Sequence, residues 1–155
     1  MITIIDYGMG NLGSIQNMLR RLGVDAEITS DIELIRKAKK LILPGVGAFD
    51  KAMMNLENRD LISVLNEQVL KNRIPLLGIC LGMQLLTKGS EEGELNGLGW
   101  IDAETLRFNF SPGMKLRVPH MGWNTLTVQK KSCLFQQMYE EPRFYFVHSY
   151  YVKCK

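Results

Sequence analysis

A cysteine stands between two glycines in the stretch 76-LLGICLGMQLL-86, where an aliphatic run gives way to helix-like spacing. The segment 78-GICLG-82 matches the nucleophile elbow, a sharp strand-to-helix turn with the pattern G-x-nucleophile-x-G. The glycines are needed because a side chain at either position would crowd the turn. At the start of a helix, the dipole and the free N–H groups favour thiolate over thiol. The pattern therefore predicts that Cys80 is a nucleophile.

The other reading of Cys80 is a small buried hydrophobic residue, which is the commoner role for a lone cysteine after a strand. The flanking glycines and the preceding LLGI favour the nucleophile. Cys133 and Cys154 lack such surroundings, and we expect both to be structural.

Acyl transfer at Cys80 requires N–H donors for the oxyanion that forms. The N–H of Leu81, directly after the nucleophile, is one expected donor. A second must come from a neighbouring strand end, and the turn 44-PGVGAF-49 follows a predicted strand. Its glycines allow the N–H of Val46 or Gly47 to point into the site. A plain strand-to-helix turn remains the alternative for this segment.

The elements that would position these groups alternate regularly through the first ninety residues. Short β-branched runs predict strands at 2–5, at AEIT, at KLILPG with a stop at Pro44, and at 74–79. Amphipathic spacing predicts helices at 12–22, from Ser30 onward, and over 48–72 with a break near Asn58. In the first helix the residues expected to face the core are Ile15, Met18, Leu19 and Leu22. Ser30 and Glu33 together form a capping-box pattern.

Regular alternation predicts an α/β fold, an open and mainly parallel sheet with helices on both faces. After residue 98 the strand-like segments are WIDAETLRF, MKLRVP, WNTLTVQ and RFYFVHSYYV, with a short helix near 132–138. We expect them to form a mixed or antiparallel extension of the same sheet. The absence of a linker or repeat predicts one domain over residues 1–155.

Composition excludes several classes of function. The net charge of +3 comes from scattered lysines and arginines, so nucleic-acid binding is not expected. The three cysteines are an odd number and far apart, which argues against a disulfide framework or a zinc site. A signal peptide and a membrane-spanning run are not apparent, and we expect a reducing, cytoplasmic location.

The segments DYGMGNLGS, LPGVGAF, GICLGMQLL, PHMGWN and YFVHSYY occur in this order. With them the chain resembles the class I, triad-type glutamine amidotransferases over its whole length. Within that family it is similar to the glutaminase subunit of imidazole glycerol phosphate synthase, a histidine-biosynthesis enzyme. The resemblance implies that Cys80 attacks the side-chain amide of glutamine, forms a thioester and releases ammonia, after which water frees glutamate. It also implies that Gly47 and a mobile peptide beside Val46 serve the oxyanion.

The resemblance further implies that the glutamine substrate is held by Gln84, Glu92, Ser149 and Tyr150. Taken without it, Gln84 reads as a polar helix residue and Glu92 as part of an acidic surface loop. A (β/α)8-barrel cyclase subunit is the implied partner, which uses the ammonia to make imidazole glycerol phosphate and an aminoimidazole carboxamide ribotide. The implied interface residues are His120, Met121, Gly122, Trp123 and Asn124. Neither a metal nor another cofactor is implied.

The family's His-x-Glu element lies beyond the YFVHSYY strand, together with further strands and a last helix. This sequence ends at Lys155, and its histidines, His120 and His148, match other family positions. From the sequence we therefore expect a C-terminally incomplete amidotransferase domain, either a fragment or a shortened homologue, with negligible glutaminase activity on its own. Two alternatives stay open: an ammonia-supplying subunit for the amidation of a bacterial surface sugar, and a non-catalytic subunit that only binds a partner.

Overall fold

The computed structural model describes residues 1–111, 113–114, 116–136, 138 and 141–155. They group into two compact units, the first of Met1–Leu106 with Val152–Lys155 and the second of Arg107–Tyr151. The organisation of residues 1–155 as a single amidotransferase domain stays a prediction.

The first unit is built on a parallel four-stranded sheet in the order β2-β1-β3-β4. Its strands are β1 Ile2–Ile5, β2 Ala26–Thr29, β3 Leu41–Leu43 and β4 Leu76–Gly78. The predicted open α/β sheet is confirmed, and each predicted strand in this part of the chain is present. Pro44 directly follows β3, as expected for a residue that cannot donate to the ladder.

The helices of this unit are α1 Leu12–Arg21, α2 Ile32–Lys37, α3 Phe49–Asn58, α4 Leu61–Asn66 and α5 Leu81–Gln84, with a π-helical turn at Glu67–Lys71 after α4. The chain moves one way across the sheet from β1 to β2 and the other way from β2 to β3 and β4. Right-handed crossovers then place α1 on one face and α2 to α4 on the other. No helix among the described residues has both the length and the apolar character needed to cross a bilayer.

The main core lies between α2 to α4 and the sheet. Fully buried side chains from both layers meet there, among them Ile5, Leu43, Ile35, Phe49 and Leu65. The opposite face is thinner, because α1 packs against β2 at the sheet edge. Consequently α1 has no buried residue. Ile15 and Leu19 are half-buried, but the expectation that Met18 and Leu22 face the core is wrong, since they are 55% and 68% exposed.

The start of α2 differs from the predicted capping box. Asp31, not Ser30, is the N-cap, and its Oδ1 accepts hydrogen bonds from the N–H groups of Glu33 and Leu34. The Glu33 side chain instead pairs with Arg36 one turn later. A carboxylate that accepts two helix N–H groups stabilises the start better than a single hydroxyl, so the cap lies one residue further along.

The later strands are β5 Ala103–Arg107, β6 His120–Thr125, β7 Arg143–His148 and β8 Tyr150–Cys154. They form two separate two-stranded sheets, β5 with β8 and β6 with β7, so the predicted extension of the four-stranded sheet is wrong. The described residues of MKLRVP are not in a strand, while Lys115 lies outside the described residues. Near 132–138 the predicted helix is a single 3-10 turn, Cys133–Phe135, and Gln137 lies outside the described residues.

Candidate active site

Cys80 occupies a strained turn between β4 and α5. Its φ of 54° and ψ of −116° lie in a region that residues with a side chain rarely adopt. Hydrogen bonds fix both sides of it: the Ile79 N–H donates to the Leu43 carbonyl at 3.0 Å, and the Met83 N–H donates to the Cys80 carbonyl at 3.0 Å. The predicted sharp turn is therefore confirmed, and Cys80 is exposed rather than sealed in the core.

The two glycines of the turn are required by backbone contacts. A Cβ on Gly78 would lie 2.6 Å from the Cα of Met83, and a Cβ on Gly82 would lie 1.9 Å from the Leu43 carbonyl oxygen. Because the obstructing atoms are main chain, the contact cannot be relieved by rotating a side chain. The turn 78–82 therefore packs directly against the backbone at the end of β3.

The turn that follows β3 lies against this elbow. A Cβ on Gly45 would meet the Gly82 nitrogen at 2.7 Å and the Leu81 Cβ at 2.9 Å. Gly47 has a φ of 108°, which glycine tolerates far better than other residues. Within the described part of the chain, the N–H groups of Val46, Gly47 and Leu81 donate no hydrogen bond. Two adjacent turns therefore offer unoccupied backbone donors, which is what an oxyanion requires.

Tyr7 is a member of this region that the sequence analysis missed. Its side chain is 0% exposed, and its hydroxyl donates to the Pro44 carbonyl at 2.6 Å. Burial raises the pKa of Tyr7 above its ordinary 10.0, and the negative charge of a nearby Cys80 thiolate raises it further. A signal was present, because Tyr7 comes just after β1, whose carboxyl end is next to that of β3 in the sheet.

The two substrate candidates of the first unit differ in environment. Gln84 is only 8% exposed, although it is a polar residue. Glu92 is exposed, yet its Oε2 accepts a hydrogen bond of 3.1 Å from the N–H of Phe49. The structure therefore brings Glu92 to the end of the 44–49 turn, which a plain acidic surface loop does not explain.

The remaining two substrate candidates belong to the second unit. Ser149 separates β7 from β8, and its carbonyl accepts from the N–H of Phe108 at 3.0 Å. Tyr150 is the first residue of β8, and its carbonyl lies 2.7 Å from His148 Nδ1.

The two histidines contact each other in this unit. His120 Nδ1 and His148 Nε2 are 2.9 Å apart. Because a carbonyl only accepts, His148 Nδ1 carries the proton donated to Tyr150, and a neutral His148 then accepts from His120 through Nε2. Asn124 Nδ2 lies 3.4 Å from His120 Nε2. Each ring is therefore oriented by its neighbours within this unit.

The predicted interface segment divides between two faces of the antiparallel β6–β7 pair. Residues directly opposite share a face, and the register pairs Met121 with Val147 and Trp123 with Tyr145. These four side chains are 56% to 64% exposed and form one apolar surface, which we call the Trp123 face. His120 and Gly122 lie on the other face. Tyr145 and Val147 were missed, although strand alternation in RFYFVH would have indicated them.

No group of three or more His, Cys, Asp or Glu side chains within the described residues is arranged to hold a metal ion.

Comparison with known proteins identifies similar chains. The family model described as glutamine amidotransferase class-I matches residues 3–155. Imidazole glycerol phosphate synthase subunit HisH 2 of Methanococcus maripaludis is 58% identical over 155 residues, which are 100% of this chain and 76% of that protein. The protein of the same name from Pseudomonas aeruginosa is 50% identical, again over 100% of this chain and 76% of its own.

Solved structures show the same fold at low identity. A crystal structure of a glutamine amidotransferase superposes with a TM-score of 0.70 at 20% identity, covering 95% of this chain and 71% of that one. A glutamine amidotransferase from Thermotoga maritima gives a TM-score of 0.60 at 19% identity, covering 99% of this chain and 62% of its own. These similarities support the fold alone.

Proposed function

The chain belongs to the class I glutamine amidotransferase family, and we propose that it is the glutaminase subunit of imidazole glycerol phosphate synthase. That subunit hydrolyses glutamine to glutamate and ammonia, and the ammonia passes to a cyclase subunit. The negligible activity expected of residues 1–155 on their own stays a prediction. The observation that carries the proposal is the exposed Cys80 at a left-handed turn, beside a second turn with unoccupied N–H groups.

In the proposed reaction the Cys80 sulfur attacks the amide carbon of the glutamine side chain, and an S–C bond forms. The negative charge that develops on oxygen is received by the N–H of Leu81 and that of Val46 or Gly47. The C–N bond then breaks, the nitrogen takes the proton that the thiol lost, and ammonia leaves. Water attacks the resulting thioester, which releases glutamate and restores the thiol.

Four side chains are proposed to hold the substrate. Gln84 lies in α5, one helical turn after Cys80, and Glu92 makes no hydrogen bond through Oε1 to any described residue, so either side chain can meet a polar end of glutamine. Ser149 and Tyr150 are proposed on the family resemblance.

The proposed partner is a (β/α)8-barrel cyclase subunit that binds the Trp123 face. An exposed surface of Met121, Trp123, Tyr145 and Val147 is rich in the residue types that dominate interface energetics. Relatives from separate organisms carry the name of an imidazole glycerol phosphate synthase subunit, which favours this partner over the sugar-amidating one. A reducing, cytoplasmic location is part of the proposal, since it keeps Cys80 as a thiol.

The test is covalent labelling of the protein by 6-diazo-5-oxo-L-norleucine, a glutamine analogue with an electrophilic carbon, with and without the cyclase subunit. We expect one adduct, on Cys80, and protection by glutamine. Cys133→Ser and Cys154→Ser are matched controls, because both residues are also free and exposed. Labelling spread over all three cysteines, or no protection by glutamine, would mean a non-catalytic binding subunit instead.

A further inference from the structure

The start of α3 and the loop 90–95 hold each other through reciprocal hydrogen bonds. Glu92 Oε2 accepts from the Phe49 N–H at 3.1 Å. In return, the Asp50 carboxylate accepts from the N–H groups of Glu94 and Leu95, each at 3.0 Å. We call this set of three bonds the Asp50 clasp. It joins two segments more than forty positions apart in the sequence.

The clasp replaces an ordinary helix cap. Ala48, the N-cap of α3, has no side chain that can accept from the first turn. Glu92 fills that role with one carboxylate oxygen, which fixes the orientation of its side chain. The contact also requires glycine at position 93, because a Cβ there would lie 2.0 Å from Asp50 Oδ1. Close packing at Gly93 and two charge-assisted hydrogen bonds to Asp50 therefore hold the loop in one position against the start of α3.

The clasp begins where the proposed oxyanion donors end. Phe49, which anchors Glu92, is two residues beyond Gly47, a separation of at most about 7 Å. One short segment therefore carries both the N–H donors for the substrate amide and the anchor of a carboxylate suited to the substrate ammonium. A fixed distance between these two groups suits one side-chain length, so an amino acid that is one methylene longer or shorter would fit only if the segment or the loop moved.

We propose that the Asp50 clasp selects substrate length, so that glutamine is accepted and asparagine rejected. Asp50 is a positioning residue in this proposal, since it acts through Glu92 and the loop rather than on the substrate. The inference rests on the proposed glutaminase function, because it takes Glu92 as the group that meets the head of glutamine.

The test compares 6-diazo-5-oxo-L-norleucine with 5-diazo-4-oxo-L-norvaline, which is one methylene shorter. With each reagent the thiol sulfur bonds to the diazo carbon, that carbon takes the thiol proton, and N₂ leaves. Concentration dependence of the Cys80 adduct, followed by mass spectrometry, separates the inhibition constant from the maximal rate. In the native protein, with its cyclase present, we expect strong preference for the longer reagent.

Asp50→Asn removes one acceptor oxygen and places an NH₂ group against a backbone N–H. We expect the preference for the longer reagent to fall about tenfold, through a weaker inhibition constant and an unchanged maximal rate. Asp31→Asn is the matched control, because Asp31 also accepts two backbone N–H groups but caps α2. The rate of Cys80 alkylation by iodoacetamide checks that the elbow is intact in each variant, and Gly93→Ala tests the clasp by a second route.

The possible results distinguish failure of the length-selection proposal from failure of the proposed glutaminase function. If Asp50→Asn slows both diazoketones equally, or neither, the clasp does not select length and this inference is wrong while the proposed function stands. If the native protein reacts with iodoacetamide at Cys80 but with neither diazoketone, both the proposed function and this inference are overturned.

Discussion

The hydroxyl of Tyr7 donates a 2.6 Å hydrogen bond to the carbonyl of Pro44, and this bond ties the end of β1 to the turn that leads into Val46 and Gly47. The same hydroxyl would be 2.7 Å from a Cβ on Gly45. A buried donor thus fixes the first peptide of the proposed oxyanion turn. This places Tyr7 in support of the site rather than in the general core.

Tyr7→Phe keeps the ring and removes that hydrogen bond. We expect the maximal rate of Cys80 labelling by 6-diazo-5-oxo-L-norleucine to fall roughly tenfold, because the oxyanion turn loses its fixed orientation, and stability to fall by about 1–3 kcal/mol. Urea unfolding and labelling kinetics measure the two effects. Tyr151→Phe, at a tyrosine that is 38% exposed and is not part of the Trp123 face, is the control. Reduced stability with unchanged labelling would limit Tyr7 to a structural role.

The raised pKa of Tyr7 predicts how stability depends on alkaline pH. The unfolded chain loses the Tyr7 proton near pH 10, whereas burial first and the Cys80 thiolate second keep the folded form protonated to higher pH. The stabilisation is therefore complete below pH 10 and is lost as the pH rises above it, by up to about 1.4 kcal/mol per pH unit. Urea titrations between pH 9 and 11 check this. Tyr7→Phe should show a shallower decline, and an identical decline in both proteins would contradict the assignment.

Gly82→Ala tests the contact between the elbow and β3. The added Cβ would lie 1.9 Å from the Leu43 carbonyl oxygen, so we expect a loss of about 3 kcal/mol in the free energy of unfolding and loss of Cys80 labelling by the glutamine analogue. Gly13→Ala is the matched control. That glycine lies in α1, and apart from its chain neighbours and its own helix backbone no atom of the described residues is within 4 Å of a new Cβ. Alanine there should be neutral or stabilising by up to about 1 kcal/mol. Equal stability of the two variants would argue against the backbone contact.

Trp123→Ala tests the proposed partner surface. Trp123 is 64% exposed and its ring meets that of Tyr145 edge-on, with centroids 5.7 Å apart. Truncation should weaken binding of the cyclase subunit by about 30-fold or more, the effect of losing a central aromatic side chain, with little change in thermal stability. Isothermal titration calorimetry gives the affinity. Met18→Ala, at an exposed position of α1, should bind normally. Normal binding by the Trp123 variant would place the partner elsewhere.

The first half of the fold was predictable because its signals are local. Runs such as ITII and LIL are apolar and bounded by glycine or proline, so the strand ends were found closely. The proximity of the 44–49 turn to Cys80 followed from parallel strands ending at one edge of a sheet. The sharp turn at Cys80 followed from the two glycines beside it.

The parts that were missed depend on choices that local pattern does not record. Asp31 and Ser30 are both good caps, and only the number of accepted N–H groups decides between them. Alternation in the strands after residue 98 shows which face is apolar but not which strand is the partner. The pattern therefore does not distinguish two small sheets from one extension of the main sheet. The hydrogen bond from Phe49 to Glu92 joins residues 43 positions apart, and the local sequence around neither residue predicts it.

The close contact between Gly82 and the Leu43 carbonyl affects which substitutions this protein can accept during evolution. A carbonyl oxygen is common to all twenty amino acids, so mutation of β3 changes the surrounding core without removing the surface on which the thiol-bearing turn rests. Substitution of most neighbouring side chains should therefore leave the position of the Cys80 sulfur unchanged. It is sensitive to gain of a methyl group at position 82, and an evolving lineage would be expected to tolerate many substitutions around Cys80 before it tolerates that one.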